Sequence, residues 1–107
     1  HRIVVRSGTK INIIAVDKIR YIEAMDDYVG IHTPQGKFLK QQTMKYFEQH
    51  LPTKDFVRVH RSYILRISEL SKLEPYSKDS YVAVLKGEGQ IPVSRAGYSK
   101  LKEVLNF

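Results

Sequence analysis

Apolar and polar positions alternate in short runs along most of this chain, the period of half-buried β-strands. "RIVVRS" and "KINIIAV" flank "SGT", which predicts a hairpin. "IRYIEAM" continues the alternation, with Ile19, Tyr21 and Glu23 on one face and Ile22 on the other. "DDYVGIHT", the turn "PQG" and "KFLKQQ" predict a second hairpin, with Pro34 and Gly36 setting the reversal. "LSKLEPY" reads as a weak strand, and "SYVAVLKGEGQIPVS" as a third hairpin that turns at Gly87 to Gly89.

The period changes in three places. Thr43 is placed to cap a helix on which Met44, Phe47 and Leu51 form one apolar stripe, and Pro52 stops it. After the strand "FVRVH", Ser62 is placed to cap a short helical turn through "YILRI". Ser94 then opens a terminal helix with Tyr98, Leu101 and Leu105 on a shared face, its first turn weakened by Gly97. Strands outnumber helices and do not alternate with them, which argues against a parallel βαβ sheet. The expected architecture is mostly β, with antiparallel strands and two or three short helices.

The 107 residues suit one domain with one modest core, spanning residues 1–107, and 42% hydrophobic content suits a folded chain. No run of eighteen apolar residues is present, so no membrane span is expected. The opening "HRIVVRSG" lacks a leader pattern and an initiating Met, so a domain of a longer protein is expected. Absence of cysteine excludes disulfides and thiolate metal sites and is compatible with a reducing cytoplasm.

Charge narrows the partners. The net charge of +7 favours a polyanion: nucleic acid, an anionic membrane or an acidic protein. The surplus is not spread evenly. Residues 37 to 66 hold seven basic and two acidic side chains, whereas residues 67 to 94 hold three and four.

The richest candidate chemistry lies in that basic segment, at "FVRVHRSYILRI". His60, Arg61, Ser62 and Tyr63 place four hydrogen-bonding side chains in a row. A guanidinium fork fits guanine O6 and N7, or a phosphate, bidentately. Arg61 has no acidic residue within five positions to neutralise it. His60 alone reads best as a satisfied, half-buried histidine; beside Arg61, it and Ser62 become candidates to hold phosphate. "KQQTMK" offers Lys40, Gln42, Thr43 and Lys45 at a strand end and helix start, a phosphate-holding arrangement that an ordinary solvated strand end explains equally well. "PVSRAGYSK" repeats the pairing of Ser with Arg: Ser94 and Lys100 can hold phosphate, and Arg95 can enter a groove. Asp26 and Asp27, neighbouring carboxylates between two strands, read as turn formers; His32 lies five residues on with no further ligand at a recognisable spacing, so no metal site and no cofactor are expected. No nucleophile elbow, Gly-rich phosphate loop or HExxH pattern supports catalysis, and no catalytic residue is assigned.

"FVRVHRSYILRISEL", followed some thirty residues on by "IPVSRAGYSKL" and preceded by "IRYIEAMDDYVGIHT", closely resembles the LytTR family, the DNA-binding output domains of LytR/AlgR-type bacterial response regulators. The likeness runs from the first hairpin to the terminal helix. It implies an elongated, antiparallel, β-sandwich-like fold that binds duplex DNA through loops entering successive major grooves. Base-reading positions carried over from the resemblance are Tyr28 and Val29, Arg61, and Arg95 with Ala96. Two of them depart from the family pattern. Val29 cannot donate a hydrogen bond but can meet a thymine methyl. Ala96 stands where some members place an arginine, so Arg95 either takes that role or touches phosphate. The resemblance further implies a cytoplasmic transcription regulator with a phosphorylated receiver outside this chain, monomeric as an isolated domain and dimeric on repeated half-sites. An RNA or single-strand binder and a small hydrolase using His60 and Ser62 are the competing readings.

Overall fold

The computed structural model describes residues 1–107. A first hairpin, β1 (Arg2–Ser7) and β2 (Lys10–Ala15), leads through a 3₁₀ turn (Val16–Lys18) into β3 (Tyr21–Met25), β4 (Tyr28–Thr33) and β5 (Gly36–Lys40). Helix α1 (Met44–His50) follows, then β6 (Phe56–His60), β7 (Tyr63–Arg66) and a second 3₁₀ turn (Ile67–Glu69). Strands β8 (Leu70–Ser77), β9 (Ser80–Leu85) and β10 (Gln90–Val93) precede α2 (Arg95–Leu105). The strands form three antiparallel sheets: β1-β2, the five-stranded β5-β4-β3-β7-β6, and β10-β9-β8. The domain is mostly β and elongated, 46 × 25 × 25 Å, as the pattern and the resemblance led one to expect.

The five-stranded sheet is the middle layer, and strand parity sorts its side chains into two cores. Ile22, Ile31, Phe56 and Ile64 join Ile3, Val5 and Ile14 of the first hairpin and Phe47 of α1 in one cluster. Val57, Val59 and Leu65 join Ala83, Leu85, Ile91, Val93 and Leu101 of α2 in the other. Two modest cores therefore replace the single one expected from length.

This two-sided burial explains the main correction. Tyr63–Arg66 is a central strand, β7, and not a helical turn. Ile64 and Leu65 are 2% and 0% exposed, one in each core. A strand covered on both faces reads as a continuous apolar run, which periodicity cannot tell from a helix. Ile19 also departs from expectation. It lies before β3, after the 3₁₀ turn, and sits in the core with Ile22 instead of on the face of Tyr21. On α2, Leu101 is fully buried but Leu105 is 41% exposed. Helix α1 follows its caps as expected: Thr43 Oγ1 accepts from the Tyr46 amide at 3.0 Å, and Met44, Phe47 and Leu51 are buried.

Candidate nucleic-acid interface

Strand registers gather the sequence-distant candidates on one rim. Lys40 at the end of β5 pairs with Val29 near the start of β4, and Val29 pairs with Ala24 near the end of β3. The Ala24 amide then donates to the Ser62 carbonyl at 2.9 Å. One row across the sheet thus connects the β5–α1 junction, the β3–β4 turn and the β6–β7 turn. A fourth connection is tied in from the neighbouring layer, because the Ser94 amide donates to the Val59 carbonyl at 2.9 Å.

The β6–β7 turn is held from within. Pairing of β6 with β7 shifts between Arg58 and His60, so Val59 sits at a bulge. A bulged residue leaves its ladder incomplete. Here the free Val59 carbonyl accepts from the Ser94 amide and, at 3.3 Å, from Ser94 Oγ. Past the bulge, the Ser62 amide donates to His60 Nδ1 at 3.1 Å. That bond requires a lone pair on Nδ1, so the proton of the neutral ring sits on Nε2. Partial burial, and then the Arg61 charge beside it, push the His60 pKa below its ordinary value, which favours this neutral form. Ser62 caps no helix, since a strand follows it. Only one of the two Ser–Arg pairs is a strand-to-helix junction. Arg61 is exposed, and its guanidinium has no hydrogen-bond or ion-pair partner within the chain.

The β10–α2 junction uses Ser94 twice. Its Oγ accepts from the Gly97 amide at 3.0 Å, capping α2, while its backbone joins Val59. Arg95 and Ala96 follow, both exposed, and the Arg95 side chain has no acceptor within the chain. His60, Ser94 and Arg95 line one cleft together with Tyr76 and Tyr81. Gly97 is required by close approach: a methyl group built on it overlaps the Val59 carbonyl and lies 2.7 Å from Val59 Cα.

The remaining candidates divide. Tyr28 is 45% exposed at the start of β4, beside Asp26 and Asp27. Asp26 has φ 57°, a left-handed conformation that a short carboxylate side chain tolerates in a tight turn. Asp26, Tyr28, Gln42 and Thr43 line one cleft, so the β3–β4 turn and the β5–α1 junction adjoin. Val29 is different: at 2% exposed, it packs in the first core and has no surface to offer a base. The step from Tyr28 to Val29 crosses the sheet, and parity turns Val29 inward. It leaves the candidate set. Lys40 is half-buried and donates from Nζ to the Val4 carbonyl at 2.6 Å, so it braces β1. Lys45 is exposed. Lys100 is exposed but lines the groove between α1 and α2 with Glu48 and Arg58, away from Arg95 along the helix.

Arg58 has a role that its sequence position does not announce. Its Nη1 bonds Glu48 Oε1 at 3.1 Å, and its Nη2 donates to the Arg61 carbonyl at 2.6 Å. Its alternation on β6 signalled a strand position but not its partners. No group of three or more His, Asp or Glu side chains is arranged to hold a metal ion, and no helix is long and apolar enough to cross a membrane.

Fold and rim together describe a class: a layered, antiparallel β domain whose connections converge, with unpaired guanidinium groups, on one end of its central sheet. Comparison with known proteins gives that class its family. The LytTR profile, described as the LytTr DNA-binding domain, matches residues 9–106, and the chain belongs to this family. The sensory transduction protein LytT of Bacillus subtilis (strain 168) is 29% identical over 107 residues, covering 100% of this chain and 44% of that protein. The transcriptional regulatory protein YpdB of Escherichia coli (strain K12) is 24% identical over 99 residues, covering 92% of this chain and 41% of that protein. The chain thus spans less than half the length of these relatives. A solved LytTr DNA-binding domain from Bacillus cereus superposes with a TM-score of 0.89 at 21% identity, covering 99% of this chain and 97% of that one.

Proposed function

We propose that this domain binds double-stranded DNA sequence-specifically and serves as the output module of a bacterial two-component transcription regulator. The rim connections enter successive major grooves. Arg61 and Arg95 read base edges, with Ala96 and Tyr28 making flanking contacts. Lys45, Gln42, Thr43, Ser62, Ser94 and His60 Nε2 face the intervening phosphates, with Lys40 and Lys100 adding charge nearby. The observation that carries this reading is the pair of exposed, unpartnered guanidinium groups, each on held backbone: Arg95 beside Ser94, which bonds the Val59 carbonyl, and Arg61, whose carbonyl Arg58 takes. A fork held on rigid backbone is suited to bidentate base recognition.

The family's membership in a two-component circuit supports a cytoplasmic setting. Alone the domain is monomeric and binds weakly; within a longer protein, dimerisation supplies the effective concentration for repeated half-sites. The hydrolase reading loses its geometry, because the Ser62 amide, not its hydroxyl, bonds the His60 ring. Selection of bound duplexes from a random pool tests the proposal. A single sequence consensus with the native domain, relaxed at defined positions with Arg61→Ala, is expected. Preference for single-stranded over duplex DNA at equal salt would refute it.

A further inference from the structure

We infer that Arg58 is a positioning residue for Arg61: its guanidinium clasps the β6–β7 turn to helix α1 and so fixes how Arg61 is presented. This rests on the reading of Arg61 as a duplex contact. The turn follows a bulge, so only the single pair of His60 with Tyr63 closes the ladder beside it. Three further bonds hold the turn itself. The Ser62 amide goes to His60, and the Ser62 carbonyl to Ala24. The Arg61 carbonyl, nearest the exposed side chain, is taken by Arg58 Nη2 at 2.6 Å.

Arg58 is itself fixed. Its other terminal nitrogen reaches Glu48 Oε1 at 3.1 Å, and the pair is only partly exposed, 26% and 43% at the side chains. Its Nε is buried with no partner. A buried, unsatisfied donor carries a free-energy cost. Its persistence fits a side chain placed by what its two terminal nitrogens do. Because the guanidinium is planar, two bonds to separate elements fix both its plane and the turn it holds. Lysine has one nitrogen on a flexible stem and cannot reproduce the fork. Glu48 lies on α1, the helix that begins at Thr43, so the same clasp sets the spacing between two rim connections. Both terminal nitrogens point to protein acceptors, which sets Arg58 apart from Arg61 and Arg95 as a direct contact.

The test compares the native domain with Arg58→Lys, Glu48→Gln, Arg61→Ala and the double variant Arg58→Lys/Arg61→Ala. Each is measured on the duplex recovered by selection and on a scrambled duplex of equal length, at equal salt and well below the lowest melting midpoint. Amide hydrogen exchange at Ser62 and Tyr63 is followed in the free proteins. Arg58→Lys should lower the ratio of selected to scrambled affinity about tenfold, the size of a good base contact. It should leave scrambled binding and the salt slope unchanged, speed Ser62 exchange, and add nothing in the Arg61→Ala background. Glu48→Gln keeps an acceptor oxygen and should stay within about twofold of native. An unchanged ratio in Arg58→Lys, effects that multiply in the double variant, or equal losses on both duplexes would overturn the positioning role. If Arg61→Ala leaves the ratio unchanged while Arg58→Lys speeds Ser62 exchange, the clasp stands and the duplex-reading role of Arg61 falls.

Discussion

The Arg61–Ser62 and Ser94–Arg95 pairs look alike in the sequence and are built differently. The first is a two-residue turn between antiparallel strands β6 and β7, held by side chains: His60 on the Ser62 amide and Arg58 on the Arg61 carbonyl. The second is a helix start held by its own serine, whose Oγ takes the Gly97 amide. In one pair the serine contributes its backbone alone; in the other it contributes its side chain as well. The two meet at the Val59 carbonyl, which the bulge in β6 releases and Ser94 captures. Residue type therefore tells which chemistry is available, and the backbone decides which group delivers it.

Gly97→Ala should break the comparison most severely. The added methyl overlaps the Val59 backbone, not the yielding end of a side chain, so α2 must shift away from β6. Overpacking of this kind costs typically about 1–3 kcal/mol and more where backbone must move. At roughly 4–8 °C per kcal/mol for a domain of this size, a drop in melting midpoint on the order of 10–20 °C is expected in calorimetry. A midpoint within a degree or two of native would mean that the contact between helix and bulge is not tight. The two arginines come next. Arg61→Ala and Arg95→Ala should each cost about 1–3 kcal/mol on the selected duplex if each reads a base, with much smaller losses on scrambled DNA. Fluorescence anisotropy titrations would separate them. An equal loss on both duplexes for Arg95→Ala would make it a phosphate contact, leaving base reading to the turn.

The serines give a finer contrast. Ser94→Ala removes a helix cap, a change worth typically about 1 kcal/mol. Ser62→Ala keeps the backbone groups that matter and should change stability by less than about 0.5 kcal/mol. Denaturant midpoints at constant slope would measure both. Equal losses would contradict the assignment of a structural side-chain role to Ser94 and of none to Ser62.

What the sequence made legible follows from range. Hairpins with turn residues, such as the one closing at Pro34 to Gly36, and helices with caps, such as those opened by Thr43 and Ser94, are local features, and they stand where the pattern put them. Strand β7 reads locally as a helical turn because Ile64 and Leu65 face different cores, and that is settled by strand order. Gly97 reads locally as a weak helix former, since nothing near it in the chain announces Val59 as its neighbour. Val29 was placed at the rim by resemblance and turned inward by parity. The convergence of four connections on one rim is the least local feature of all. Lys40, Ala24 and Ser62 line up only because the sheet order is β5-β4-β3-β7-β6, and no window of sequence contains that order.

The smallest expected effect comes from acid, and it touches the turn alone. Burial and the neighbouring Arg61 charge hold the His60 pKa below its ordinary value of 6.5. The unfolded chain therefore binds a proton at His60 more readily than the folded one does. Stability from the neutral ring is fully present above that ordinary value and is lost as pH falls through the depressed folded one. Protonation at Nδ1 also removes the lone pair that accepts the Ser62 amide, so the turn loosens as the ring charges. The β10–α2 junction has no titratable group in its cap and should hold its bonds over the same range. Melting midpoints of the native domain and of His60→Asn, compared from pH 8 down to about pH 5, isolate this contribution from the other three histidines, because asparagine offers a similarly placed acceptor oxygen and does not titrate. The native domain should lose stability more steeply on acidification, with the Ser62 amide losing protection relative to its intrinsic exchange rate at each pH and the Gly97 amide keeping its own. Parallel curves for the two proteins would mean that the ring is not held neutral, and that the turn and the helix start are equally indifferent to protons.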